Sequence, residues 1–260
     1  MLKGKTALVT GSTSGIGLGM ARRFASEGAN VVLNGFGDQG EIESLRREIA
    51  EQYNVQVTYS NADMSKPDQI EAMIREAEST FGAVDILVNN AGIQHVAAID
   101  EYPPEKWEAV IAINLNHCFY TTHYALPKMR EKGWGRILNV ASAHGLVGSA
   151  GKSAYVAAKH GVIGLTKVTA LDTAGSGITC NALCPGWVKT PLVVQQIEAK
   201  AKQKGIPAEQ AEKELLAEKQ PALEFVTTEQ LAGYAAFLCS EDARTVTGAQ
   251  VQIDGGWTAQ

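Results

Sequence analysis

The sequence predicts an α/β protein: one doubly wound parallel sheet of roughly seven strands, with helices on both faces. Three observations carry that prediction. Strand-like and helix-like patterns alternate along almost the whole chain. Val84 to Asn89 is nearly continuous apolar sequence, as expected for a parallel strand covered on both faces. A short apolar β-run, Lys5 to Thr10, passes straight into a glycine-rich turn and then an amphipathic helix. The length of 260 residues suits a single domain, 1–260, able to bury a large core. There are no internal repeats, low-complexity tracts or linkers.

Along the chain, the first strand, Lys5 to Thr10, is followed by Gly11-Ser12-Thr13-Ser14-Gly15-Ile16-Gly17 and by a helix from Leu18 to Glu27. Strand, glycine turn and helix in this order form a dinucleotide-binding, Rossmann-type fingerprint, here spaced G-x-x-x-G-x-G rather than the commoner G-x-G-x-x-G. Gly11 allows the tight turn, Gly15 lets backbone approach a pyrophosphate, and Gly17 lets helix pack on strand. The helix N-terminus offers N–H groups and the positive end of its dipole to phosphate. Ser12, Thr13 and Ser14 can add hydroxyl donors. The expected loop contacts are Gly11, Thr13, Ser14, Gly15, Ile16 and Gly17.

The second strand, Asn30 to Leu33, leads into Asn34-Gly35-Phe36-Gly37-Asp38. An acidic residue near this point would bond the ribose hydroxyls. Asp38 is one candidate; Asn34 or Phe36 lining ribose and adenine is the alternative. No Arg or Lys follows this strand before Arg46, and a 2′-phosphate would want one, so NAD is expected rather than NADP.

Val55 to Ser60 reads as the third strand, and Lys66-Pro67-Asp68 opens a helix reaching about Phe81. Val84 to Asn89 is the fourth strand. A long helical stretch runs from about Pro104 to Lys132, Arg136 to Ala141 is the fifth strand, and a helix spans about Ala154 to Ala174. Gly177 to Leu183 is the sixth strand and Gln250 to Ile253 the seventh. Thr190 to Gln230 breaks the rhythm with charged helical sequence and no strand. An active-site lid at about 190–230 is the preferred reading, because long excursions beside a ligand often close over it. In such sheets ligands bind beyond the carboxyl ends of the strands, where Gly11, Asn90, Ser142 and Pro185 all fall.

Tyr155 and Lys159, four residues apart on that helix, project from one face. An ammonium beside a phenol favours the phenolate, which equips the phenol to exchange a proton with an alcohol or ketone. Ser142 lies thirteen residues before Tyr155.

With both ends of the chain in view, the sequence resembles the short-chain dehydrogenase/reductase family over nearly its whole length. Thr10 to Gly17 matches that family's cofactor loop, Asn89-Asn90-Ala91-Gly92 its NNAG motif, Pro185-Gly186 its PG motif, and Asn114, Ser142, Tyr155 and Lys159 its catalytic tetrad. The resemblance implies reversible hydride transfer between a secondary alcohol and nicotinamide, with Tyr155 as acid/base and Ser142 orienting the substrate oxygen. Lys159 would hold the nicotinamide ribose and act on Tyr155, and Asn114 would anchor a water chain. It implies Asp63 and Met64 beside adenine, Asn90, Ala91 and Gly92 along its ribose, and Pro185, Gly186, Val188 and Thr190 around the nicotinamide carboxamide. It also implies a homotetramer, built on the long helices beginning near Pro104 and Ala154 and on the C-terminal segment to Gln260.

In this fold Gln94, His144 and Lys152 should face one small pocket. A lysine, a histidine and an amide suit a carboxylate, since charge-assisted hydrogen bonds are the strong ones. Gln196 in the lid could close the set, and Trp187 and Trp257 could supply apolar walls. Ser142 and Tyr155 complete the expected substrate contacts. The expected substrate is a small hydroxy acid bearing its hydroxyl at the β position. A non-catalytic dinucleotide-binding regulator and another enzyme of the family, an NADPH-dependent 3-oxoacyl carrier-protein reductase or a sugar-alcohol dehydrogenase, are the rival readings.

Composition narrows the class further. The apolar fraction of 45% and charged fraction of 20% are ordinary for a globular protein, and the net charge of −5 without a basic cluster speaks against nucleic acid. Cys118, Cys180, Cys184 and Cys239 form no C-x-x-C, and no secretory segment precedes the first strand, so buried, reduced thiols in a cytoplasmic protein are expected. The five histidines show no metal-ligand spacing with them, so no metal is expected, and no apolar run approaches bilayer-spanning length.

Overall fold

The computed structural model describes residues 1–259 apart from the side chain of Leu192. Its first half runs β1 (Thr6–Val9), α1 (Gly15–Ser26), β2 (Asn30–Asn34), α2 (Gln39–Tyr53), β3 (Val57–Ser60), α3 (Pro67–Phe81) and β4 (Ile86–Asn89). The second half runs α4 (Pro104–Ile111), a π-helical turn (Ala112–Asn116), α5 (His117–Lys132), β5 (Gly135–Val140), α6 (Ser153–Asp172), β6 (Ile178–Pro185), α7 (Pro191–Lys204), α8 (Ala208–Lys219), α9 (Thr228–Leu238) and β7 (Gln250–Ile253). The strands pair in the order β3-β2-β1-β4-β5-β6-β7, every pair parallel. The doubly wound sheet expected from the sequence is therefore present, and its direction of winding reverses between β1 and β4. A crevice opens there at the carboxyl ends of the strands.

Alternation along the strands supplies the two faces. Ala7 and Val9 of β1, Val31 and Leu33 of β2, and Ile86 and Val88 of β4 pack with Met20 and Phe24 of α1 and with Leu231 and Ala235 of α9. Leu8, Val32 and Leu87, pointing the other way, pack with Ile70, Met73 and Ile74 of α3 and with Ala125 and Met129 of α5. Met20 and Phe24 are completely buried, each contributing on the order of 2–3 kcal/mol by removal of apolar surface from water.

Several details depart from the sequence reading. The stretch from Pro104 to Lys132 is not one helix: the π-turn at Ala112–Asn116 divides it. The helices α2 and α9 are additional to the elements expected from the sequence. Thr228 to Gln230, counted within the excursion, belong to α9, whose start is fixed by a capping box between Thr227 and Gln230. The excursion itself is the pair α7–α8, followed by a return in which Val226 pairs with Val188 as an isolated parallel bridge. Strand limits differ by one or two residues, because ladder partners rather than apolar character end a strand.

Candidate active site

One cavity of about 420 Å³ runs along the crevice from the glycine loop to Trp257. At one end the chain turns sharply after β1: Gly11 has φ +62°, and a Cβ there would lie 3.0 Å from the Ala91 Cα. Gly15 has φ +56°, so a side chain would be strained there. Gly17 carries no positive φ, but its Cβ would lie 2.4 Å from the Gly11 carbonyl oxygen. The close helix–strand packing expected of Gly17 is thus present, and it keeps Gly17 off the cavity wall. Helix α1 begins without a side-chain cap or an acidic residue in its first turn. Its free N–H groups face the cavity, and this cradle fits a pyrophosphate.

Neighbouring loops are tied to this turn. The Thr10 hydroxyl accepts the N–H groups of Asn90 (2.9 Å) and Ala91 (3.0 Å), while the Asn90 amide donates to the carbonyls of Thr10 (2.9 Å) and Gly11 (3.0 Å). Of the three loop hydroxyls, Ser12 turns inward. It is buried, donates to the Val9 carbonyl (2.7 Å) and accepts the Asn34 N–H (3.0 Å), so it offers no donor to a ligand. Thr13 lines the cavity but donates to the Phe36 carbonyl at 3.1 Å. Ser14 lines it with no capping bond to make.

Phe36, Asn34, Asp63 and Met64 line the far end. Asp38 does not. Its carboxylate accepts the Glu41 N–H at 3.0 Å and caps α2, so of the alternatives after β2 Asn34 and Phe36 are the residues that line the cavity. The Asn34 amide is committed to Gly11, Ser60 and Ala62, leaving the exposed Phe36 ring as the main surface offered there. Among the described lining residues Asp63 is the one carboxylate, and the only Lys side chains, Lys152 and Lys159, lie at the opposite end.

That opposite end gathers Ser142, Tyr155 and Lys159. Ser142 follows β5 in extended conformation, and its Oγ accepts the His144 N–H at 3.1 Å. The Lys159 ammonium is buried, donates to the Val140 carbonyl at 2.7 Å and lies 5.5 Å from the centre of the Tyr155 ring. Asn114 lies in the π-turn, behind the cavity wall. Its amide accepts the Ile93 N–H (2.8 Å) and donates to the Ile93 carbonyl (3.0 Å), fixing the loop after Gly92. Such π-turns are frequent at functional sites.

Gln94, His144, Lys152, Trp187, Gln196 and Trp257 all line the same end. The His144 ring lies edge-on to Tyr155 (5.9 Å between centres) and to Trp257 (5.0 Å), and Trp257 leans on Trp187 at 5.6 Å. The Lys152 ammonium is 5.1 Å from the Trp187 ring. Burial, reinforced by Lys219, lowers Lys152 to about 8. Burial, then the charges of Lys152, Lys219 and His160, push His144 down to about 3. His144 is therefore a neutral hydrogen-bonding group, bonded to the Ser149 hydroxyl at 3.0 Å, so of Gln94, His144 and Lys152 only Lys152 brings charge to a carboxylate. Gln94 Nε2 and Trp187 Nε1 are buried without a hydrogen-bond partner. A buried unpaired donor costs about 1–3 kcal/mol, so both favour a ligand acceptor. Trp187 is accordingly more than the apolar wall expected of it.

Pro185, Gly186, Val188 and Thr190 line the cavity between the two ends, with Asn90, Ala91, Gly92 and Ile16 opposite. Sequence reasoning missed further lining residues, among them Ala62, Ile93, Ile113, Val140 and Val193. These are apolar residues at strand ends, loops and helices, indistinguishable in sequence from core.

The chain is similar to known proteins over nearly its whole length. The family model described as enoyl-(acyl carrier protein) reductase matches residues 11–258. The chain is 62% identical over 261 residues to the D-beta-hydroxybutyrate dehydrogenase of Cupriavidus necator, covering 100% of both chains. It is 52% identical over 256 residues to the D-beta-hydroxybutyrate dehydrogenase of Rhizobium meliloti, covering 98% of this chain and 99% of the relative. Among solved structures it is similar to the L-sorbose reductase of Gluconobacter frateurii complexed with NADPH and L-sorbose, with TM-score 0.95 and 30% identity over 100% of this chain and 98% of the other.

Proposed function

The chain belongs to the short-chain dehydrogenase/reductase family, and on that premise we propose that it reversibly oxidises (R)-3-hydroxybutyrate to acetoacetate with NAD. The observation that carries this reading is the meeting of Lys152, His144 and Gln94 with Ser142 and Tyr155 in one cavity that continues to the glycine loop. In a 3-hydroxy acid the carboxyl carbon is two bonds from the carbinol carbon. The carboxylate then meets Lys152 and the unpaired Gln94 amide while the hydroxyl reaches Ser142 and Tyr155. The (R) configuration follows from the likeness to the D-beta-hydroxybutyrate dehydrogenases.

The nicotinamide of a bound dinucleotide supplies the hydride acceptor. The chain's own residues hold it and handle the proton. The α1 N-terminus with Gly11, Thr13, Ser14, Gly15 and Ile16 takes the pyrophosphate; Gly17 supports that turn from behind. Phe36, Asp63 and Met64 take the adenosine, and Asn90, Ala91 and Gly92 flank its ribose. Pro185, Gly186, Val188 and Thr190 take the carboxamide, and Lys159 the nicotinamide ribose. Ser142 Oγ bonds the substrate oxygen, and Tyr155 accepts the hydroxyl proton. Asn114 anchors the water by which that proton leaves; with its amide held by Ile93, this contact falls to its backbone.

NAD is preferred to NADP because the cavity end lined by Phe36 and Asn34, where a 2′-phosphate would be bound, has no cation among its described lining residues. The rival reading, an NADPH-dependent reductase, draws on the NADPH in the L-sorbose reductase complex. The pair α7–α8 acts as a substrate lid, bringing Gln196 over the acid. The working form is a cytoplasmic homotetramer; among the described residues no helix is long and apolar enough to cross a membrane. Purified protein mixed with (R)-3-hydroxybutyrate and NAD should generate NADH absorbance. Failure with this acid, or faster turnover with NADP, sinks the corresponding part of the reading.

A further inference from the structure

Gln220, the residue that ends α8, is buried to 1% exposure yet forms no part of the cavity wall. Its amide is used at both ends: Oε1 accepts the Trp187 backbone N–H at 2.8 Å, and Nε2 donates to the Glu224 carbonyl. Two glycines make way for it. A Cβ on Gly186 would lie 2.5 Å from Gln220 Oε1, and a Cβ on Gly255 2.6 Å from Gln220 Cγ. The side chain is thus wedged between the loop that carries Trp187 and the loop that carries Trp257.

The residues that follow reinforce both attachments. The Ala222 N–H bonds the Gly255 carbonyl at 3.0 Å, and the Val226 N–H bonds the Trp187 carbonyl at 2.9 Å. Trp187 is therefore held at its N–H and at its carbonyl by the segment that returns from α8. Trp257 is held through Gly255 by the same segment. These two rings, 5.6 Å apart, form the far wall of the substrate pocket.

We infer that Gln220 is a positioning residue that sets this two-tryptophan wall and, through it, the length of acid the pocket admits. The inference rests on the assignment of the pocket to a short hydroxy acid. An apolar side chain of similar volume would leave the Trp187 N–H and the Glu224 carbonyl without their partly buried bonds, and the wall would give way outward.

Gln220→Met tests it. The expected result is a KM for 3-hydroxybutyrate raised about 10-fold with kcat within about 3-fold, the size expected for one lost positioning bond. NADH affinity should stay within about 2-fold, and the kcat/KM ratio of six-carbon to four-carbon 3-hydroxy acid should rise at least ~5-fold. A ratio unchanged from the wild type overturns the inference. If Gln220→Met does not fold, Gln220→Glu decides. Its carboxyl when neutral both accepts from Trp187 and donates to Glu224, and when ionised it only accepts. Relative to wild type at each pH, its six- to four-carbon ratio should be near one at about pH 6 and raised by about pH 9, since burial raises a carboxyl pKa; a flat ratio overturns the inference. Near-ultraviolet circular dichroism of the Trp187–Trp257 pair, referenced to Trp187→Phe, reads the wall without any substrate. A spectrum of Gln220→Met identical to wild type overturns the inference, whereas absence of wild-type turnover of 3-hydroxybutyrate overturns only the substrate assignment.

Discussion

At Tyr155 and Lys152 the chemistry divides into a proton and a charge. On the proposed mechanism Tyr155→Phe removes the group that takes the hydroxyl proton, and general acid–base catalysis is worth about 10²–10⁴-fold, so kcat should fall by that factor. Equilibrium dialysis should find NAD binding unchanged. Lys152→Ala removes one charge-assisted bond of about 1.5–3 kcal/mol and should lower kcat/KM for the acid about 10- to 100-fold while sparing the coenzyme. Burial first, and Lys219 second, place Lys152 near 8. It is charged below that pH and neutral above it. The kcat/KM for the acid should therefore decline as pH rises through about 8, and the Lys152→Ala profile should lose that limb. The thiols are a contrast: Cys118, Cys180, Cys184 and Cys239 are free and buried, and burial pushes them up to about 11 or 12. They carry little thiolate at neutral pH and form no part of the site.

Among the elements, the β1–α1 unit is set by contacts that leave no slack. Gly17→Ala would force a Cβ to within 2.4 Å of the Gly11 carbonyl. Overpacking of this kind costs about 1–3 kcal/mol, and because the shift falls on the phosphate turn, NAD affinity should drop with stability. Denaturant unfolding and nucleotide titration on one preparation read both. Helix α2 offers the opposite case. Asp38→Ala removes an N-cap and should cost about 1 kcal/mol by the same unfolding assay. Its NAD-to-NADP preference should remain that of the wild type, because Asp38 faces Glu41 and not the cavity. A preference that moved with Asp38 would return this residue to the ribose site. The π-turn is instructive for another reason. Its sequence, Ala112–Asn116, reads as ordinary helix, and the Asn114 amide acquires its task only when the loop at Ile93 is brought against it.

For the molecule as a whole, α5 and α6 each leave apolar surface outward. Phe119 is 50% exposed and stacks with His123, while Val168 and Leu171 are 55% and 76% exposed. Scattered apolar residues are normal on a surface, but two helices presenting them together suit burial against another copy of the chain. Phe119→Asp combined with Leu171→Asp should shift the sedimentation coefficient from that of the proposed tetramer toward smaller species at micromolar concentration. A wild-type protein that sediments as a monomer would refute the tetramer outright. Gln260, at the end of the C-terminal segment also expected to join that assembly, lies outside the described residues.

The sequence by itself determined the winding of the sheet, the glycine turn after β1 and the residue types of the Ser142–Tyr155–Lys159 cluster. Those depend on short-range patterns: apolar alternation, glycine spacing, and two side chains a helical turn apart. Only the tertiary structure decided which polar groups face the cavity and which are spent within the protein. Ser12 and Asp38 looked like ligand contacts and are bonded to their own loops, and Trp187 looked like a wall and has an unpaired donor. Nor could the role of Gln220 be read locally, since its partners Trp187 and Gly255 are more than thirty residues away along the chain. A hydrogen-bonding group's availability is what remains after every neighbour has been served, and the neighbours are assigned only by folding.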